Sequence, residues 1–274
     1  MIEGGRGSNT MPLMCLIAFD FRPGNRRHLL LAANRDEFHD RPARPMAWWD
    51  WPDGPLAGRD ERAGGTWVAV ARDGRWAAVT NFRDPGVEAG TRSRGELPVR
   101  FLEGAGAPEA FVREIDARRA EYGPFNLLAG DRETLWFCSS HARPAAVSPG
   151  VHALSNGLLD EPWPKTRRAA IALRGLASTA SIDTDRLFEL MNDREGAPDA
   201  DLPDTGVGAD LERFLSPPFI VGERYGTRCT TILSLGVQNQ AAERVFDSSG
   251  RIVGEMDYRY PLSSPSSAAS DSVS

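Results

Sequence analysis

Residues 14–37 read MCLIAFDFRPGNRRHLLLAANRDE, and the rest of the chain is best understood outward from this stretch. Two apolar runs, Cys15–Phe21 and His28–Asn34, flank Arg22-Pro23-Gly24-Asn25. Pro fixes one backbone angle there, and Gly and Asn accept the left-handed conformation that a chain reversal needs. The pattern predicts an antiparallel hairpin. Residue numbers paired across such a hairpin keep a constant sum, so pairing Phe21 with His28 sets Cys15 opposite Asn34. Asn34-Arg35-Asp36-Glu37 then lies beside the start of the first strand. Polar groups gathered at strand ends in this way are what a site requires.

Other segments repeat the theme. Thr66–Arg72 and Arg75–Asn81 flank Asp73-Gly74, a pair favoured in tight hairpin turns. With Arg72 opposite Arg75, Thr66 falls opposite Asn81, so Gly64-Gly65 and Asn81 share one end of that hairpin. Phe125–Gly130 and Glu133–Ser139 form a third pair, Glu243–Asp247 and Arg251–Asp257 a fourth, and Thr227–Leu235 is a further strand. Helical spacing of apolar residues appears over Ala107–Tyr122, Trp163–Ala177 and Asp183–Asn192. Strand groups separated by helices, without strict strand–helix alternation, predict antiparallel sheets covered by helices rather than a doubly wound parallel sheet. The class is α/β in the broad sense, of the α+β kind.

Composition limits the function. The chain has 274 residues, 41% hydrophobic and 26% charged, with a net charge of −6 and no basic stripe interleaved with aromatics. That argues against nucleic acid as a partner. The longest apolar runs are too short to span a bilayer, and residues 1–13 lack a cationic start followed by an apolar stretch. A soluble, cytoplasmic protein is expected, with a polar leader over 1–13, a single domain over 14–261 and a Ser/Ala-rich tail over 262–274. Cys15, Cys138 and Cys229 are widely spaced, and His28, His39, His141 and His152 show no ligand spacing. No disulfide framework, metal or cofactor is therefore expected. Lys165 is the sole lysine among 32 basic residues, which reads as genomic base composition of a bacterial kind. Arg92–Arg100 reads as a solvated segment.

An ordered set of short motifs makes the reading specific. Met14-Cys15-Leu16-Ile17, Ala33-Asn34-Arg35-Asp36-Glu37, Gly64-Gly65-Thr66-Trp67 and Thr80-Asn81-Phe82-Arg83 come first. Ser93-Arg94-Gly95-Glu96-Leu97, Asn126-Leu127-Leu128-Ala129-Gly130-Asp131, Leu154-Ser155-Asn156-Gly157 and Tyr225-Gly226-Thr227-Arg228 follow in order. Together they resemble the NRDE family, named for its Asn-Arg-Asp-Glu motif, which includes the transport-and-Golgi-organisation proteins. That family in turn resembles the cysteine branch of the N-terminal-nucleophile hydrolases. The resemblance implies a four-layer αββα sandwich of two antiparallel sheets and a mechanism in which a processed Cys15 attacks an amide carbonyl. It also implies that Arg35 holds the thiolate, Asp36 accepts from the amino terminus, Asn81 and Asn156 donate to an oxyanion, and Arg228 pairs with a carboxylate.

Two departures from that pattern stand out. Arg35 and Asp36 are adjacent here, and neighbours on a strand point to opposite faces, so Asn34 or Glu37 is the alternative to Asp36. Cys15 is preceded by fourteen residues, so a free α-amine requires translation from Met14 or cleavage after it. Structural roles compete with each assignment. Arg35 with Asp36 or Glu37 can close the hairpin, while Asn81 and Asn156 both occupy turn contexts. Trp48 and Trp49, in a Pro-rich loop with Trp51, Met46 and His39, either wall a pocket for a flat apolar ligand or pack the loop down. The expected function is a metal-independent amidohydrolase acting on a small-molecule amide, a non-peptide C–N bond, through an acyl-thioester on Cys15. The alternative is a non-catalytic carrier or chaperone of an apolar ligand such as haem or an acyl-CoA or other lipid, which the resemblance also suggests.

Overall fold

The computed structural model describes residues 14–51, 53–87, 90–177 and 183–262. Expectations for the leader and for residues 263–274 of the tail lie outside them. The opening hairpin forms from β1 (Met14–Phe21) and β2 (Arg27–Phe38). Its register is one residue from the expected one: Phe21 pairs with Leu29, and Cys15 pairs with Arg35, not Asn34. The turn accounts for the slip. Gly24 takes φ +78°, and the Arg22 N–H donates to the His28 carbonyl, so the loop closes one pair tighter than assumed.

Four strands follow: β3 (Ala43–Trp48), β4 (Leu56–Asp60), β5 (Val68–Val70) and β6 (Trp76–Asn81). The helices α1 (Glu96–Glu103) and α2 (Pro108–Ala117) come next. Then come β7 (Phe125–Gly130), β8 (Leu135–Ser139), β9 (Ala142–Ala146) and β10 (Gly150–Leu154). The helices α3 (Pro164–Ala177), α4 (Thr184–Met191) and α5 (Ala209–Phe214) precede β11 (Tyr225–Gly236), β12 (Gln238–Phe246) and β13 (Ile252–Pro261). The helix expected over Ala107–Tyr122 ends at Ala117, with a 3-10 turn at 119–121. The second hairpin also slips by one residue, with Val68 opposite Ala78.

The strands form two antiparallel sheets, one ordered β10-β1-β2-β11-β12-β13 and the other β3-β4-β5-β6-β7-β8-β9. Alternation along β1 and β2 explains their stacking. Ile17, Phe19, Phe21, Leu29, Leu31 and Ala33 face the second sheet and pack against Trp67, Val70, Trp76, Leu128 and Phe137. Leu16, Ala18, Leu30 and Ala32 face the other way, onto Ala169 and Leu173 of α3 and Leu187, Phe188 and Met191 of α4. The outer face of the second sheet is covered by Phe101 of α1 and by Phe111, Val112 and Ile115 of α2. Helices, sheet, sheet and helices thus make the four-layer αββα sandwich. Each fully buried Leu, Ile or Phe in these layers contributes roughly 1.5–3 kcal/mol. No helix among the described residues is long and apolar enough to cross a membrane.

The same alternation sets the chemistry at the end of β2. Arg35 continues the inter-sheet face, whereas Asn34 and Asp36 continue the face toward the helices.

Candidate functional site

Where β1 begins, the two sheets part to leave a cleft of about 320 Å3. Cys15, Arg35, Asp36 and Glu37 line one side, and Asp60, Thr66, Trp67 and Asn81 line the other. Arg92, Ser93, Arg94 and Gly95 close it. These four residues overturn the expectation that 92–100 is solvated. Gly65 passes so close to Gly95 that a Cβ on it would meet the Gly95 carbonyl carbon at 2.3 Å, and Thr66 N–H donates to the Gly95 carbonyl at 2.8 Å. Gly65 is therefore needed to seat that wall.

Cys15 keeps partial contact with solvent. Burial pushes its thiol up to about 12, and the charge of Asp36 adds to the rise. Arg35 and the Asp36 backbone N–H, which hydrogen-bonds the sulfur, act in the opposite direction. Arg35 is held firmly in place. Its Nη2 donates to Asp60 Oδ2 at 3.1 Å and lies 3.5 Å from Glu37 Oε2, and its guanidinium sits 4.6 Å over the Trp67 ring. Asp60 also takes Arg41 in a two-pronged contact, through Nε and through Nη2 at 3.1 Å. Burial alone would raise the Asp60 carboxyl, but Arg41, the Ala63 N–H and Arg35 together hold it below the usual carboxylate range. Glu37 is raised by burial, against the pull of Arg35, the Phe38 N–H and Arg41.

Asp36 lies 1% exposed on the helix side of the same strand end. Oδ1 accepts from Thr227 Oγ1 at 2.6 Å, whereas Oδ2 is buried with no hydrogen-bond partner. Burial raises this carboxyl, opposed by Lys165, Thr227 and Arg35. Its neighbour in sequence serves the framework. Asn34 Nδ2 donates to the carbonyls of Met191 at 2.8 Å and Pro218 at 2.9 Å, and Oδ1 accepts from Thr230 Oγ1 at 2.6 Å. With those groups engaged and its side chain under the helices, Asn34 lies outside the cleft lining, contrary to the expected ligand-binding placement.

The remaining expected residues divide. Asn81 lines the cleft, but Asn156 does not. Asn156 is buried, and its Nδ2 donates to the Asn81 carbonyl at 2.8 Å, so it braces the residue that faces the cleft. Arg228 sits at the bulge between Thr227 and Cys229 and donates to the carbonyls of Phe38 at 2.7 Å and Arg41 at 3.1 Å. It meets backbone there and lies outside the cleft lining. Trp48 stacks edge-on to Tyr260 at 5.1 Å beneath Arg72, and Trp49 Nε1 donates to the Ala57 carbonyl at 3.1 Å. Both tryptophans pack the loop down and line no part of the cleft. Among the described residues no group of three His, Cys, Asp or Glu is placed to hold a metal ion.

Four contributors had no site role in the sequence reading: Asp60 and Arg41, which no motif carried, and Arg94 and Thr227, which stood only as members of the motif set. Asp60 and Arg94 reach the cleft from segments that carry no periodic signal, and Thr227 lies in a strand where a polar residue is unremarked. The arrangement sets a thiol beside a fixed guanidinium and a buried carboxyl, with Asn81 across the opening. Such a set can generate a thiolate and stabilise negative charge on an attacked carbonyl.

The sequence model of the family described as Transport and Golgi organisation 2 matches residues 14–247. The Transport and Golgi organization protein 2 homolog of Bos taurus is 31% identical over 242 residues, covering 80% of this chain and 88% of that protein. The Homo sapiens homolog is likewise 31% identical over 242 residues with the same coverage. Among solved structures, a mutant conjugated bile acid hydrolase from Clostridium perfringens aligns with a TM-score of 0.48 and 9% identity, over 90% of this chain and 97% of that one. An N-acylethanolamine-hydrolyzing acid amidase orthologue from Caenorhabditis elegans aligns with a TM-score of 0.39 and 10% identity, over 79% and 92%.

Proposed function

Because the chain belongs to the transport and Golgi organisation 2 family and carries a thiol in its inter-sheet cleft, we propose that it is a metal-independent amidohydrolase acting on non-peptide C–N bonds, with Cys15 as its nucleophile. One observation carries the reading. Cys15 pairs directly with Arg35 across the β1–β2 ladder, and both line the cleft, so a guanidinium fixed by Asp60 stands beside the sulfur.

Removal of residues 1–14 frees the Cys15 α-amine. A free α-amine titrates at about 8 and an ordinary thiol at about 8.5. Burial raises this thiol to about 12, so passing its proton to the amine is uphill, and the charge of Arg35 works to offset that cost. The sulfur then attacks the amide carbon, and the oxygen takes the negative charge beside Asn81. The departing nitrogen takes the proton from the ammonium as the C–N bond breaks, leaving a thioester on Cys15. Water, deprotonated by the same amine, attacks the thioester carbon and returns the free thiol. Donation by one well-placed amide such as that of Asn81 can supply roughly 100-fold in rate. This chemistry suits the cytoplasm, where thiols stay reduced.

The test joins intact mass to turnover. Protein isolated from its native host is weighed and screened against an amide library beside Cys15→Ala. A mass starting at Cys15 with turnover lost in the variant is expected. Turnover that persists in Cys15→Ala overturns the reading.

A further inference from the structure

Among the described residues four arginines line the cleft, and three of them are paired within the protein. Arg35 and Arg41 both meet Asp60, and each lies 3.5 Å from Glu37. Arg92 reaches Glu96 at 2.6 Å and Glu121 at 3.5 Å. Arg94 differs. Its Nη1 donates to the Pro124 carbonyl at 2.9 Å, and among the described residues no carboxylate pairs with it. A guanidinium presents its N–H groups as a planar fork, so with Nη1 aimed at Pro124 the Nε–Nη2 edge is left over. Neither of those nitrogens is sealed from solvent. The backbone beneath is fixed: the Arg94 carbonyl accepts from the Leu97 N–H at 3.0 Å to open α1, and Thr66 pins the adjoining Gly95. No lysine competes for the role. Lys165, the sole one in the chain, is 2% exposed and outside the cleft lining, with its Nζ donating to the Leu215 carbonyl at 3.1 Å. Arg94 is thus a half-buried cation, held in the same cleft as Cys15, with one edge open and no counter-charge. Burial works against its charge, a cost that an anion entering the cleft offsets.

We propose that Arg94 selects the molecule this cleft takes by gripping a carboxylate on it through the Nε–Nη2 edge. Two parallel N–H groups match the two oxygens of a carboxylate, and such charge-assisted pairs are short and strong. The acids of the cleft leave that edge free. Asp60 and Glu37 are held by Arg35 and Arg41, and Asp36 points away toward the helices, where Thr227 meets it. This inference rests on the cleft around Cys15 being the site of reaction, and it narrows the substrate to a small amide that also bears a carboxylate. A cleft of about 320 Å3 sits at the small end of ligand pockets, so that carboxylate lies only a few bonds from the C–N bond presented to the sulfur. A neutral amide of the same size leaves the guanidinium without a partner and is disfavoured.

The experiment uses the full chain and alkylating agents that differ in charge. Iodoacetate and 3-iodopropionate are compared with their neutral amides at a single pH, with two lengths of acid to cover the reach from Arg94 to the sulfur. Cys15 modification is read by peptide mass, and 2-mercaptoethanol supplies the acid-to-amide rate ratio of a free thiol. Taking the ratio cancels any general change in the reactivity of Cys15. In the wild type at least one acid should be favoured over its amide by about tenfold more than with 2-mercaptoethanol. Arg94→Gln keeps a donor for Pro124 but loses charge and fork, so its ratio should fall back about tenfold. Arg94→Lys keeps the charge without the fork, should give an intermediate ratio, and serves if the Gln variant unfolds. A wild-type ratio no higher than that of 2-mercaptoethanol, or one unchanged in both variants, overturns the proposal. Turnover of neutral amides alone would also overturn it while leaving the hydrolase reading intact. An Arg94-dependent preference for acids without turnover of any amide supports the carboxylate grip and sinks the hydrolase reading instead.

Discussion

Arg35 and Asp60 belong to different sheets, and the 3.1 Å contact between them ties the strand partner of Cys15 to the opposite layer of the sandwich. Asp60→Asn should destabilise the chain by about 3 kcal/mol, because it strips charge from a partner of two buried or half-buried guanidiniums. The Asp60 carboxyl is held low in the fold, so its contribution is present above the unfolded carboxylate value. It is lost as pH falls through the lower folded one. Urea unfolding should therefore show a large gap between variant and wild type at neutral pH, narrowing below about pH 4. A gap of constant size would show that Asp60 acts through shape alone.

Asn34 holds α4, the Pro218 loop and β11 together through three buried hydrogen bonds. Asn34→Ala leaves two carbonyls and a hydroxyl without their partner and should cost about 2–4 kcal/mol by urea denaturation. Alkylation of Cys15 under native conditions should proceed at the wild-type rate. A changed rate with unchanged stability would return Asn34 to the site.

Glu243 of β12 is 1% exposed and reaches across to the other sheet, accepting from the Met46 N–H at 2.7 Å and from Thr231 Oγ1 at 3.0 Å. Burial raises its carboxyl in spite of these bonds. A folded state that holds the proton more tightly than the unfolded chain loses stability as pH rises from about 4 through the folded value, and is flat above it. Glu243→Gln lacks that loss, so its melting temperature should gain on the wild type between pH 4 and 8. Parallel melting curves across the series would count against a titrating Glu243.

Much of the architecture was readable from apolar periodicity and turn residues. Trp163–Ala177 and Asp183–Asn192 match α3 and α4 to within a residue at each end. The β1–β2 hairpin was also predicted, but with Asn34 opposite the thiol. Register depends on how tightly a turn closes, and Arg22-Pro23-Gly24-Asn25 fits more than one loop length. β3 and β4 went unseen because Pro42, Pro45 and Pro55 interrupt the strand pattern, and helix α1 because its polar start resembles a solvated run. Cys15, Arg35, Asp36, Glu37 and Asn81 were found from local motifs and do share the cleft. Asp60 and Arg94 join the cleft lining only through tertiary packing, which no local spacing encodes.

Lys165 has one more consequence, for labelling. With the only lysine enclosed at 2% exposure, the folded molecule offers amine-reactive esters no side-chain target. A dye added under native conditions should mark the amino terminus alone, and the tagged peptide reports directly where the chain begins. A second dye enters only when the sandwich opens, so the ratio of doubly to singly tagged molecules becomes a gauge of global unfolding.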